Sequence, residues 1–235
     1  MKYSKRFFIA FDLDYTILNN TCDFYLERLL PAFNNSHFDG SDWYKYMNKV
    51  FADLHKNKVT INDIKAKIME IELNPGFREL INYIKSNKND IDSIIISGAN
   101  TLFIQWIIEK HEFNGLFDAF ISNQGIINSE NIIEIKPSHS HSCKLCVPGQ
   151  CKSILLKDYL QEINIEYHNK FYIGDGDNDF CPSLLLGKDD VLFPRKNFPL
   201  DHLVIKNSNL LKCSVLPWKN GFTILDKLRE LNEKI

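Results

Sequence analysis

Lys5-Arg6-Phe7-Phe8-Ile9-Ala10-Phe11-Asp12-Leu13-Asp14-Tyr15-Thr16 (residues 5–16) is the stretch that decides the fold. Five consecutive apolar residues, Phe7 to Phe11, stop abruptly at an acidic residue. A short apolar run without alternation reads as a strand covered on both faces, as in the middle of a parallel sheet. The segment Phe7–Leu13 is therefore predicted to be the first strand. Ligands in open parallel sheets bind beyond the carboxyl ends of the strands, which is where Asp12-Leu13-Asp14 falls. In extended chain, residues two apart share a side, so both carboxylates would face the same way. Two such carboxylates repel unless a cation or a shared proton lies between them.

The same pattern recurs downstream. Residues 91–97, Ile-Asp-Ser-Ile-Ile-Ile-Ser, read as a second strand ending on Ser97, and residues 119–122, 170–174 and 191–193 read as three more. Helical stripes lie between them: Phe77, Leu80, Ile81 and Ile84 after Pro75-Gly76; residues 102–111 behind an Asn100 or Thr101 cap; residues 151–163; and residues 220–231. Strands alternating with helices predict an α/β fold, a Rossmann-like parallel sheet with helices on both faces. Residues 19–73 break the rhythm with helical, aromatic-rich patterns (24–33, 43–54 and 61–71) and no strand. The predicted division is a core of residues 1–18 and 74–235, with a small helical cap of residues 19–73 inserted after the first strand.

A second acidic run, Gly174-Asp175-Gly176-Asp177-Asn178-Asp179, follows the strand at 170–174. One Asp-x-Asp is usually a solvated turn, but two acidic turns ending strands of one sheet suit a magnesium site built from oxygen ligands. Ser97 at a strand end is placed to donate to a phosphoryl oxygen. Lys152 opens a helix, where its ammonium and the helix dipole both favour an anion.

These four places resemble the motifs of the haloacid dehalogenase superfamily: Asp12–Thr16, Ile94–Gly98, Lys152 and Gly174–Asp179. The match extends through residues 97–101, 139–148, 172–182, 193–195 and 215–218 to the phosphoethanolamine/phosphocholine phosphatase family, including its pyridoxal phosphate phosphatase branch. The resemblance implies a Mg2+-dependent phosphatase. Asp12 would be the nucleophile and Asp14 the general acid and base, with Ser97 and Lys152 holding the phosphoryl group. Asp12, Asp14 (through its backbone carbonyl) and Asp175 would hold the metal, and Asp179 would act from behind, through the metal's waters or Lys152. A carboxylate is ionised at neutral pH and needs no base to activate it. The second acid, Asp14, points to a phosphatase or a phosphomutase rather than to an ATPase or a dehalogenase.

Substrate-side positions implied by the resemblance are Asp23, Gly98 and, through local hydrogen bonds, Thr16. The family usually carries an Asp after the motif serine, whereas this chain has Gly98. One carboxylate fewer near a cationic head group weakens selection for choline or ethanolamine. Phe24, Tyr25, Trp43, Tyr44 and Tyr46 would either offer ring faces to such a group or form the core of the helical insert, the latter being the expected role. Pyridoxal 5′-phosphate, the alternative substrate, would use stacking.

The balance of 28 basic against 30 acidic residues, net −2, gives no reason to expect a nucleic-acid or acidic-membrane partner. The basic start (Lys2, Lys5, Arg6) resembles a secretory leader, but its apolar run is too short, and no stretch reaches the roughly 18 apolar residues of a membrane helix. A cytoplasmic protein acting on a small phosphomonoester is expected. Six cysteines are few for a disulfide scaffold. His139, His141, Cys143, Cys146 and Cys151 nevertheless form a cluster of metal-ligand types at a spacing that is not a standard finger or ribbon: either a structural Zn2+ site that would steady the loop before Lys152, or cysteines that are merely buried. Cys22, Cys181 and Cys213 read as core residues.

Overall fold

Phe7, Phe8, Ile9, Ala10 and Phe11 are each no more than 1% exposed, so the first strand is covered on both faces. It spans Ser4–Phe11 (β1) in a computed structural model that describes residues 4–30 and 42–233. β1 pairs in parallel with β2 (Ile91–Ile96) on one side and with β6 (Glu166–Gly174) on the other. Beyond β2 lies β3 (Ala119–Ile121), and beyond β6 lie β7 (Val191–Pro194) and β8 (Ser214–Val215). The parallel sheet therefore runs β3-β2-β1-β6-β7-β8. The chain builds outward from β1 on one side and then returns to build on the other. That reversal opens a crevice above the carboxyl ends of β1 and β6.

Side chains alternate between two apolar layers. Phe7, Ile9 and Phe11 meet α4 (Phe77–Ser86), α5 (Thr101–His111) and α9 (Gly221–Glu233) through Leu80, Ile107 and Leu228. Phe8 and Ala10 meet α6 (Lys152–Ile163), α7 (Phe180–Ser183) and α8 (Pro199–Lys206) through Leu156, Phe180 and Leu200. Truncating a ring such as Phe7, fully buried between strand and helix, would cost about 3–5 kcal/mol. α5 begins where its cap predicts, with Asn100 Oδ1 accepting from the Phe103 N–H at 3.0 Å.

The segment after β1 contains α1 (Cys22–Glu27), α2 (Trp43–Lys56) and α3 (Ile61–Ile68). The helical pattern expected over 24–33 starts earlier and ends at Glu27; its last residues, 31–33, lie outside the described residues. α2 buries Met47, Val50, Phe51 and Leu54, one helical stripe, in the same apolar cluster as Phe7 and Phe11. It also packs on an antiparallel hairpin that sequence reading does not anticipate, β4 (Gln124–Ile127) with β5 (Ile133–Lys136). Asn48 of α2 grips Ile135 at both backbone groups: its Nδ2 donates to the carbonyl at 2.9 Å and its Oδ1 accepts from the N–H at 2.7 Å. No helix among the described residues is long and apolar enough to cross a membrane.

Candidate active site

The register of the sheet puts Phe11 beside Ile173, and the Asp12 N–H donates to the Ile173 carbonyl at 2.9 Å. The turns that begin at Asp12 and Asp175 are thus neighbours at the crevice. Lys152, the first residue of α6, reaches into them and is 1% exposed. Its Nζ donates to Asp12 Oδ1 at 2.5 Å and to Asp179 Oδ1 at 2.7 Å.

Asp179 is fully buried, and both its oxygens are committed. Oδ1 also accepts from the Tyr172 hydroxyl at 2.7 Å, while Oδ2 accepts from the N–H groups of Asp175 and Gly176 at 3.1 and 3.0 Å. This wraps the loop tightly around the carboxylate. A Cβ at Gly174 would stand 2.5 Å from Asp179 Oδ2, which is why glycine occupies that position.

Asp12, Asp175 and Asp179 bring a carboxylate oxygen each within 4.8 Å of one another. Burial and the neighbouring carboxylates push Asp175 up to about 9. Burial likewise raises Asp12, to about 7, with Lys152 opposing it and Asp179 adding to it. Burial alone would lower Lys152, but Asp12 and Asp179 outweigh it and raise the ammonium well above its ordinary value. Three buried acids against one ammonium leave the cluster short of positive charge. Hard oxygen donors short of charge fit a divalent cation such as Mg2+.

Asp14 sits apart, its Oδ1 accepting from the Cys22 N–H at 3.0 Å, and burial raises its carboxyl above the usual range. Ser97 is 1% exposed at the end of β2; its Oγ accepts from the Ala99 N–H at 3.1 Å. Thr16 differs from expectation. It is fully buried and is not among the residues of the cavity wall; its Oγ1 donates to Asp175 Oδ1 at 3.2 Å, which puts it behind the acids rather than beside a substrate.

These groups open on a cavity of about 350 Å³, walled by Asp12, Asp14, Ser97, Lys152 and Asp175 together with Asp23, Trp43, Tyr44 and Gly98. The aromatic residues of the insert divide. Trp43 and Tyr44 reach the cavity, and Tyr46 packs against Trp43 with ring centres 5.6 Å apart. Phe24 and Tyr25 instead lie under the Arg28 guanidinium, at 4.6 and 4.7 Å.

The expected zinc ligands also regroup. Cys143, Cys146 and Cys151 converge with Cys181, which the sequence alone places in the core, and neither His139 nor His141 joins them. His141 is satisfied by its own loop: Nδ1 accepts from the Cys143 N–H at 3.3 Å and Nε2 lies 3.0 Å from the Val147 carbonyl.

Three residues to which sequence reading gives no role also shape the site. Gln150 lines the cavity and its Nε2 donates to the Ser97 carbonyl at 2.8 Å. Asn74 is buried, and its Nδ2 donates to the Thr16 and Leu18 carbonyls at 2.7 Å each, holding the turn after Asp12. Arg195 donates to the Tyr15 carbonyl and, at 3.1 Å, to Asn74 Oδ1. Tyr15 has a positive φ of 52°, so this turn is held in a conformation that costs a non-glycine residue energy.

The comparisons with known proteins agree with this geometry. Residues 7–232 match the profile of the family described as Putative Phosphatase. The chain is 31% identical to a pyridoxal phosphate phosphatase from Bos taurus over 96% of its own length and 98% of the relative's. It is 32% identical to a phosphoethanolamine/phosphocholine phosphatase from Gallus gallus, over 97% of its own length and 90% of the relative's. Among solved structures, a phosphoserine phosphatase in its apo form superposes with a TM-score of 0.61 at 17% identity, covering 98% of this chain and 100% of that one. The match to the family profile runs almost end to end, over a fold shared with that phosphoserine phosphatase: the chain belongs to the Putative Phosphatase family.

Proposed function

We propose that the chain is a Mg2+-dependent phosphomonoesterase that hydrolyses a small phosphorylated metabolite through an aspartyl-phosphate on Asp12. One observation carries this reading: Lys152 joins Asp12 and Asp179 at the floor of a cavity, with Asp175 alongside. Asp12 attacks phosphorus, and the bond from phosphorus to the ester oxygen breaks as Asp14 gives that oxygen its proton. Asp14 then takes a proton from water, which attacks the same phosphorus, releasing inorganic phosphate and restoring Asp12. A carboxyl raised by burial is suited to carrying that proton. Ser97 and Lys152 hold phosphoryl oxygens. Asp12, Asp175 and the Asp14 carbonyl would hold the metal, which when bound would offset charge on the transferring group. Asp179, with all its bonds made, orients Lys152 and the loop. In this reading residues 19–73 are the cap over the site.

The substrate proposed first is phosphoethanolamine or phosphocholine, with Asp23, Trp43 and Tyr44 facing the cationic head. Pyridoxal 5′-phosphate is a second reading, favoured by the same two rings as stacking surfaces and by the bovine relative.

The test is phosphate release from the three compounds, with Mg2+ and after chelation. Phosphate stoichiometric with substrate loss, abolished by chelator and restored by Mg2+, is expected. No phosphate from any monoester overturns the proposal. Return of the phosphoryl group to the substrate makes the enzyme a phosphomutase.

A further inference from the structure

Cys143, Cys146, Cys151 and Cys181 meet at one point beside the catalytic floor, and the established family assignment makes no use of them. Cys143 Sγ lies 3.6 Å from Cys181 Sγ, and Cys151 Sγ lies 3.8 Å from it. The four sulfurs are all within 4.8 Å of one another. A disulfide needs about 2.05 Å between sulfurs, so these are not pairs on the way to one bond, and all four thiols are free. Four thiolates around zinc, each about 2.3 Å from the ion, stand at the corners of a tetrahedron whose edge is about 3.8 Å. The Cys143–Cys181 and Cys151–Cys181 separations match that edge.

The sequence spacing agrees. Cys143 and Cys146 have the two-residue gap of a chelating pair, Cys151 follows in the same loop, and Cys181 comes from a different element, α7. Soft sulfur donors in tetrahedral reach select zinc over the hard cation that suits the carboxylates. Cys151 and Cys181 are 1% and 7% exposed, so half of the cluster is closed to water.

We infer that Cys143, Cys146, Cys151 and Cys181 form a structural tetrathiolate zinc site, with a membership different from the His/Cys set the sequence suggests. Each thiol gives its proton to solvent as it ligates, so folding of the loop and metal binding are one equilibrium. The position gives the site its purpose. Cys151 immediately precedes Lys152, and Cys181 follows Asp179 by two residues, so the ion ties together the chain segments that carry the two ends of the Lys152–Asp179 bond. The loop it folds also supplies Leu145, Val147, Pro148 and Gln150 to the cavity wall.

The test reads metal, not activity. Protein purified without chelator is expected to hold about one zinc per chain. A mercurial thiol reagent should release that zinc to a chromogenic chelator as the thiols are consumed. Replacement by cobalt(II) should produce sulfur-to-cobalt charge-transfer absorption. Cys146→Ser and Cys181→Ser should lose the ion, whereas Cys213→Ser, outside the cluster, and Asp175→Asn, which breaks the acidic centre, should keep it. Zinc below about half an equivalent in the unaltered protein overturns the inference. So does iron in its place, zinc that survives the mercurial, or zinc lost with Asp175→Asn. Because Cys181 is packed inside α7, the mercurial titration of the unaltered protein decides the matter even if that variant fails to fold.

Discussion

The acidic floor of the cavity and the rest of its wall are built on different terms. On the floor, Asp12, Lys152 and Asp179 are buried and share hydrogen bonds, and Asp175 is pinned by Thr16. At position 98 the wall is looser. Beside Gly98, a Cβ would find only Gln150 Oε1 at 3.6 Å and Asn178 Nδ2 at 3.7 Å, which is ordinary contact. The floor is over-determined, so removing a shared member such as Lys152 disturbs several partners at once. The wall has room, so a change there alters what the site accepts. Conserving the chemistry while varying the head group needs this division.

Four substitutions can break or sharpen that contrast. Asp12→Asn should lower kcat by on the order of 10⁴-fold or more while the thermal unfolding midpoint moves little, as measured by phosphate release and calorimetry. Appreciable residual turnover would remove Asp12 from the nucleophile's role. Lys152→Met removes the partner of two buried carboxylates. It should cost about 3–5 kcal/mol of stability by denaturant titration as well as most of the activity. Were it as stable as the parent, the two buried carboxylates would not depend on Lys152 for their charge balance. Trp43→Ala, on the wall, should raise KM about tenfold with kcat nearly unchanged; a matching fall in kcat would mean that the ring also orders the floor. The smallest change expected is for Gly98→Asp, a few-fold shift in relative kcat/KM toward aminoalcohol phosphates. An unaltered ranking would take position 98 out of selectivity.

The floor was largely legible in the sequence because its residues end buried strands, and apolar runs such as Phe7–Phe11 and Ile94–Ile96 announce those ends. The helices after Gly76 and Asn100 were legible from cap and stripe. What escaped depends on approach across long sequence distances. Gln150 and Asn74 act through amide groups on distant carbonyls, and an amide leaves no periodicity. Cys181 lies 30 residues from Cys151, and only the packing of α7 against α6 unites them. β8 is too short to register as a run. The hairpin strands β4 and β5 hold only short apolar stretches around a polar turn at 128–131 and look like loop until α2 lies across them. Thr16 is expected to act through local hydrogen bonds on the substrate side, but the turn through Tyr15 sends its hydroxyl across to Asp175, 159 residues away in sequence.

Asn48, which grips Ile135 by both backbone groups, stands where a neighbouring strand would otherwise pair with the hairpin. A two-stranded ribbon has two open borders, and open borders recruit other chains. One side chain from a helix closes this one and guards against self-association. The bond joins residues 87 apart, so the same amide that covers the border also ties the first quarter of the chain to its middle.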